Sequence, residues 1–130
     1  AIGADNRFLS KIYTNDEFNF TSTTLVNLDY NTLNKQHVLI LNELESIPES
    51  LNNTLTSFTS SGGSLVIIPA LNTNLTTYNT LLSTMKMGYI QGLSKTELAI
   101  TNINFSHPSL KGVFEKQIKT LTFTFHLTYL

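Results

Sequence analysis

The sequence predicts an α/β fold of three layers, with a mostly parallel, doubly wound sheet and an antiparallel element near the C-terminus. Three observations predict it. Segments of helical and strand-like pattern alternate through about the first 90 residues, as the layered α/β architecture requires. Two short apolar runs, "HVLILNE" and "SLVIIPA", are of the kind buried on both faces of a parallel sheet. The final stretch, "TLTFTFHLTYL", alternates strictly: Leu121, Phe123, Phe125, Leu127 and Tyr129 share one face, and Thr122, Thr124, His126 and Thr128 the other. That period of two marks an amphipathic strand with one covered face.

The elements follow in order. Residues 4–13 place Phe8, Leu9, Ile12 and Tyr13 on one face of a helix, with Asp5 near its N-terminus. "EFNFTSTTLV" is rich in the β-branched and aromatic residues that strands favour. "LDYNTLNKQ" reads as a polar connection with a short turn leading into the first buried strand. In "SIPESLNNTLTSF", Ser46 and Glu49 have the S-x-x-E spacing of a capping box and Pro48 suits a first turn. Leu51, Leu55 and Phe58 then form one apolar stripe. Gly62 and Gly63 come after this helix and before the strand "SLVIIPA". Phosphate-cradling glycines occur in the opposite order, after a strand and before a helix, so this pair is read as a helix stop. "NLTTYNTLLSTM" repeats the helical spacing with Leu75, Tyr78, Leu82 and Met85, "ELAITNINF" is a third strand, and "SHPSLKGVF" is turn-like.

At 130 residues the chain is expected to form a single domain, and its 41% hydrophobic content argues against disorder. Eight basic and nine acidic side chains leave a net charge of -1, without the basic footprint of a nucleic-acid binder. Charged residues make up only 13%, about half the usual share, so solubility rests on Asn, Ser and Thr. Cysteine is absent, which removes disulfides, thiolate metal sites and a Cys nucleophile. The longest apolar run, "LVIIPAL", falls far short of the ~20 residues that span a bilayer. No signal peptide is visible, the sequence opens on Ala1, and it closes inside a strand-like pattern. These features are read as those of a domain excised from a longer protein.

Chemistry-bearing motifs are few. A Walker-type loop lacks its GK[ST], and no G-x-S-x-G elbow is present. "VLILNELESIP" looks like the phosphoacceptor strand of a response-regulator receiver domain, yet Asn42 stands where the reacting Asp belongs, and an amide cannot accept the phosphoryl group. His37, His107 and His126 have no metal-ligand spacing, so neither a metal nor a cofactor is expected. The four Asn-x-Ser/Thr sequons, at Asn19, Asn52, Asn74 and Asn104, occur at the frequency that this composition gives by chance. If a ligand binds, the loops after the parallel strands are the place for it, around Asn42, Glu43, Asn72 and His107.

Taken in order, "NRFLSKIY", "LDYNTLNKQHVLILNELESIPESLNNTLTSFTSSGGSLVIIPA" and "INFSHPSLKGVF" resemble a domain of the aerotolerance-operon (Bat-type) membrane proteins of Bacteroidetes-like bacteria. That domain is similar to the flavodoxin-like, class I glutamine amidotransferase fold. The amidotransferase nucleophile of that fold is a Cys, which this chain lacks, so glutaminase activity does not carry over. "GGSLVIIPA" also resembles the trehalose-utilisation-type branch, where such a strand ends near a His; Pro69 and Ala70 stand there instead. The resemblance implies a non-catalytic interaction or structural module on the periplasmic or envelope side of a membrane-anchored parent, with a protein partner. It also implies a strand ahead of the first helix, either outside this sequence or replaced by another segment. The alternative is a small-molecule or carbohydrate binding or hydrolysing domain. The apolar C-terminal strand is expected to lie inside the sheet or to pair with a second copy of the chain.

Overall fold

The computed structural model describes residues 1–93, 98–100, 103–108, 121–123 and 127–129. The fold is mixed α/β and divides into two compact units, one of residues 1–91 with 129–130 and one of residues 92–128.

The first unit is organised by a parallel pair of strands, β1 (Val38–Asn42) and β2 (Ser64–Ile68), in register Val38↔Ser64 through Asn42↔Ile68. The segment around Ile2 lies on the other side of β1. Ile2 donates its N–H to Ile40 O and accepts from Asn42 N, both at 2.8 Å, as a parallel bridge. A second parallel bridge joins Ile2 to Thr23. Thr23, Ile2, β1 and β2 therefore stand side by side. Gly3 is required here, because a Cβ would collide with the carbonyl oxygen of Asn42. Flanked on both edges, β1 is buried at every residue except Val38.

The connection from β1 to β2 runs through α2 (Glu49–Ser60). Leu51, Leu55 and Phe58 are buried along one side of it, as the apolar spacing predicts. Each such side chain contributes about 1.5–3 kcal/mol on leaving water. The capping box does not form: Pro48 is the N-cap, Glu49 is the first helical residue, and no side chain caps the turn. Pro48 itself prevents it, since the residue before a proline is held extended and Ile47 cannot begin a helix from Ser46. The helix ends as a Schellman motif. Gly63 N–H donates to Phe58 O and Gly62 N–H to Thr59 O, both at 3.0 Å, with Gly62 at φ +95°. A Cβ at Gly63 would strike the Phe58 ring. The glycine pair is a helix stop that also admits a core aromatic.

After β2 comes α3 (Leu75–Thr84), capped by Asn74, whose Oδ1 accepts from Thr77 N at 3.2 Å. It buries Tyr78, Leu81 and Leu82. Tyr78 lies in the core with its hydroxyl donating to Leu44 O at 2.6 Å, which satisfies the one polar atom its burial would otherwise strand. This helix also ends as a Schellman motif, with Lys86 (φ +55°) in the position that Gly62 holds for α2. A strand not foreseen from the sequence, β3 (Ile90–Leu93), follows.

Four further expectations are corrected in this unit. The first helix, α1, spans only Arg7–Ile12 and buries nothing: Phe8 is 72% and Ile12 66% exposed. "EFNFTSTTLV" forms no strand ladder; only Thr23 pairs, because the segment breaks into turns on either side. "LDYNTLNKQ" contains a 3-10 helix, Tyr30–Lys35, capped by Asp29 and anchored by buried Leu33. Finally, β2 is not buried on both faces. Leu65 and Ile67 turn toward α2 and α3, lining with Tyr78 and Leu82 an apolar groove of about 530 Å³, while Val66 between them is 42% exposed.

In the second unit, β4 (Leu98–Ile100) pairs antiparallel with β5 (Leu121–Phe123), in register Leu98↔Phe123. The antiparallel element is thus present near the C-terminus. The alternating terminal stretch contains two short strands, β5 and β6 (Leu127–Tyr129). His126 and most of "SLKGVF" lie outside the described residues.

Candidate functional site at the carboxyl ends of the parallel strands

Open α/β sheets bind ligands beyond the carboxyl ends of their parallel strands, because the following loops gather there and leave backbone groups unpaired. Three of the four site residues read from the sequence lie at that edge. Asn42 is the last residue of β1, Glu43 follows it, and Asn72 lies in the turn after β2. His107 belongs to the second unit, in a turn where its N–H donates to Asn104 O at 3.0 Å and its residue is exposed.

Asn42 is buried, with 8% of its surface exposed. Its Nδ2 donates to Asp5 O at 2.7 Å and to Asn6 Oδ1 at 3.1 Å. A carbonyl can only accept, so the first of these bonds fixes which way the amide faces. Both amide hydrogens are then engaged in holding the loop 3–7 that follows Ile2. Asn6 tightens the same loop by donating from Nδ2 to Gly3 O at 3.0 Å. Among the described residues no donor reaches Asn42 Oδ1.

Glu43 is a non-glycine residue at φ +54°. Its N–H donates to Ile68 O at 2.8 Å, tying the end of β1 to the end of β2, while its side chain is exposed. The turn beyond is held by Glu45: its Oε1 accepts from Asn72 Nδ2 and its carbonyl from Asn74 N, both at 2.7 Å. Ile47 N–H donates to Thr77 Oγ1 at 3.2 Å. The loops after β1 and β2 are in this way bonded to each other.

Loop 3–7 carries the one ion pair among the described residues. Arg7 Nε donates to both carboxylate oxygens of Asp5, at 2.9 and 3.0 Å, and Nη2 to Oδ2 at 2.6 Å. The hydrogen-bonded Arg7 guanidinium holds the Asp5 carboxyl down at about 2. Facing this loop, residues 22–27 complete an open polar cleft of about 650 Å³. Asn6 and Arg7 did not stand out in the sequence, and Asp5 did so only as a helix-start residue. The proximity of Asp5, Asn6 and Arg7 to the end of β1 depends on Ile2 pairing with β1, and no spacing along the chain encodes that pairing.

Among the described residues no three His, Asp or Glu side chains converge to hold a metal ion, and no helix is long and apolar enough to cross a membrane. Comparison with family models, curated proteins and solved structures finds no match for this chain.

Proposed function

We propose that this chain is a non-catalytic interaction module of doubly wound, flavodoxin-like α/β type, belonging to a larger membrane-anchored envelope protein of the Bat type. The doubly wound reading is supported by the order Thr23, Ile2, β1, β2, in which the second segment of the chain lies outside the first and the third and fourth lie on the opposite side. Ile2 then supplies the strand ahead of the first helix.

The observation that carries the functional reading is Asn42. At the end of the central strand, where a receiver domain would place its reactive carboxylate, this chain has an amide whose two hydrogens hold loop 3–7. The residue works as a structural tie. Partner binding is then left to surfaces such as the exposed apolar side of α1. Assay of the purified chain on ester, amide and glycoside panels tests this. The expected result is no turnover; activity removed by Glu43→Gln or His107→Ala would overturn the reading.

A second reading, a small-molecule binding domain, is favoured by one feature: the polar cleft between residues 3–7 and 22–27 at the carboxyl edge. A ligand there would raise the melting temperature in proportion to the logarithm of its concentration above Kd.

A further inference from the structure

The lining of the polar cleft selects among small molecules by charge and hydrogen-bonding capacity. Resting on the small-molecule reading, we infer that the cleft between loop 3–7 and residues 22–27 takes a neutral, polyhydroxylated ligand such as a free sugar or polyol.

Position and size come first. The cleft lies beyond the bridged residues Ile2 and Thr23, on the carboxyl side of both, next to the point where the strand order reverses. Its volume of about 650 Å³ falls within the roughly 300–1,000 Å³ of small-molecule sites.

Charge then narrows the class. Asp5 and Arg7 are the only charged side chains among the residues lining the cleft, and they neutralise each other through a three-bond fork. The pair leaves the lining with no net charge, so charge alone draws neither an anion nor a cation to it. Among the uncharged polar side chains of the lining, Ser22, Thr24 and Asn27 offer donors and acceptors in mixture, and Ser10, whose hydroxyl donates to Arg7 O, offers an acceptor, the complement of a molecule whose every hydroxyl is both.

Rigidity completes the case. Loop 3–7 is held by three bonds, Asn42 to Asp5 O, Asn42 to Asn6 Oδ1, and Asn6 to Gly3 O, so its groups are placed before a ligand arrives.

The test is ligand-detected NMR and thermal shift on the full 130-residue chain, with neutral mono- and disaccharides and polyols in one panel and sugar phosphates and nucleotides in the other. Two variants on the far wall, Asn27→Ala and Thr24→Val, leave the bonds of loop 3–7 intact, and circular dichroism checks that both fold. The expected result is binding of a neutral sugar, weakened at least tenfold in both variants. Tighter binding of the anionic panel would overturn the neutral class while leaving the second reading standing. Neutral binding unchanged in both variants would overturn the placement in this cleft. No binding in either panel would overturn the inference and the second reading together.

Discussion

Helices α1 and α2 show the same apolar periodicity in the sequence and meet opposite fates in the structure. In α2 the stripe of Leu51, Leu55 and Phe58 is buried; in α1 the stripe of Phe8 and Ile12 is exposed. The difference lies in length and connection. Twelve residues of α2 join two adjacent parallel strands, which obliges the helix to lie back against them, and a Schellman motif closes it. Six residues of α1 make under two turns, Asn6 offers no side-chain cap, and the next segment of chain supplies one bridge instead of a strand. Periodicity tells which side of a helix is apolar. What covers that side depends on where the chain goes next.

The largest test of this contrast is truncation on each helix. Leu55→Ala should lower stability by about 2–5 kcal/mol in urea unfolding, as core truncations do. Phe8→Ala should fall within about 0.5 kcal/mol, as an exposed site does. Equal losses would mean that the surface of α1 is covered after all. The next effect concerns the tie that leads into α1. Asn42→Asp exchanges two donors for a carboxylate facing the carbonyl of Asp5 and Oδ1 of Asn6, and should cost about 1–3 kcal/mol at neutral pH. Faster amide exchange at Gly3, whose N–H is bonded to Thr23 O, would localise that loss to the loop.

Smaller effects sharpen the comparison at the helix ends. Gly62→Ala puts a Cβ into a left-handed position and should cost about 1 kcal/mol. Lys86→Gly, at the equivalent position of α3, should gain about 0.5 kcal/mol, the relief of strain less the added chain entropy. The smallest effect belongs to Asp5. Its carboxyl is lowered from 3.8 to about 2 by Arg7, so its contribution is complete above the unfolded value and is lost as pH falls through the folded one. Both partners are exposed, and solvent screens the pair. Asp5→Asn should therefore flatten only a shallow slope of stability between about pH 4 and pH 2, measured by acid titration at constant urea.

The central run β1–α2–β2–α3 was legible in the sequence because each part carries local chemistry: a buried apolar run, Gly62 with Gly63, and the helical spacing of Leu75, Tyr78 and Leu82. The regions read wrongly are those where local signals conflict with the path of the chain. "EFNFTSTTLV" has strand composition, but its neighbour in space is the short segment around Ile2, which pairs with Thr23 alone. Ser46 and Glu49 have the right spacing for a capping box and the wrong residue between them, Pro48. Within the candidate site, Asn42, Glu43 and Asn72 could be found because they come directly after or at the end of strands. Asp5, Asn6 and Arg7 could not, since a pairing across roughly forty residues brings them there, and such contacts leave little trace in local pattern.

That pairing has a consequence for the order in which the molecule assembles. β1, α2 and β2 lie within residues 38–68, and the loop closed between Val38 and Ser64 is short enough to form early at modest entropic cost. The segment around Ile2 can bridge to Thr23 by itself but cannot join the central pair until β1 exists, because its N–H and carbonyl groups bond to Ile40 and Asn42. Loop-closure entropy predicts that it docks onto β1 late and departs first, which faster native-state amide exchange at Ile2 and Asn42 than at Tyr78 would show. Every residue of the loop 3–7 wall travels with it, so local opening at the N-terminus dismantles the cleft while the core around Leu51, Leu55 and Tyr78 stays intact.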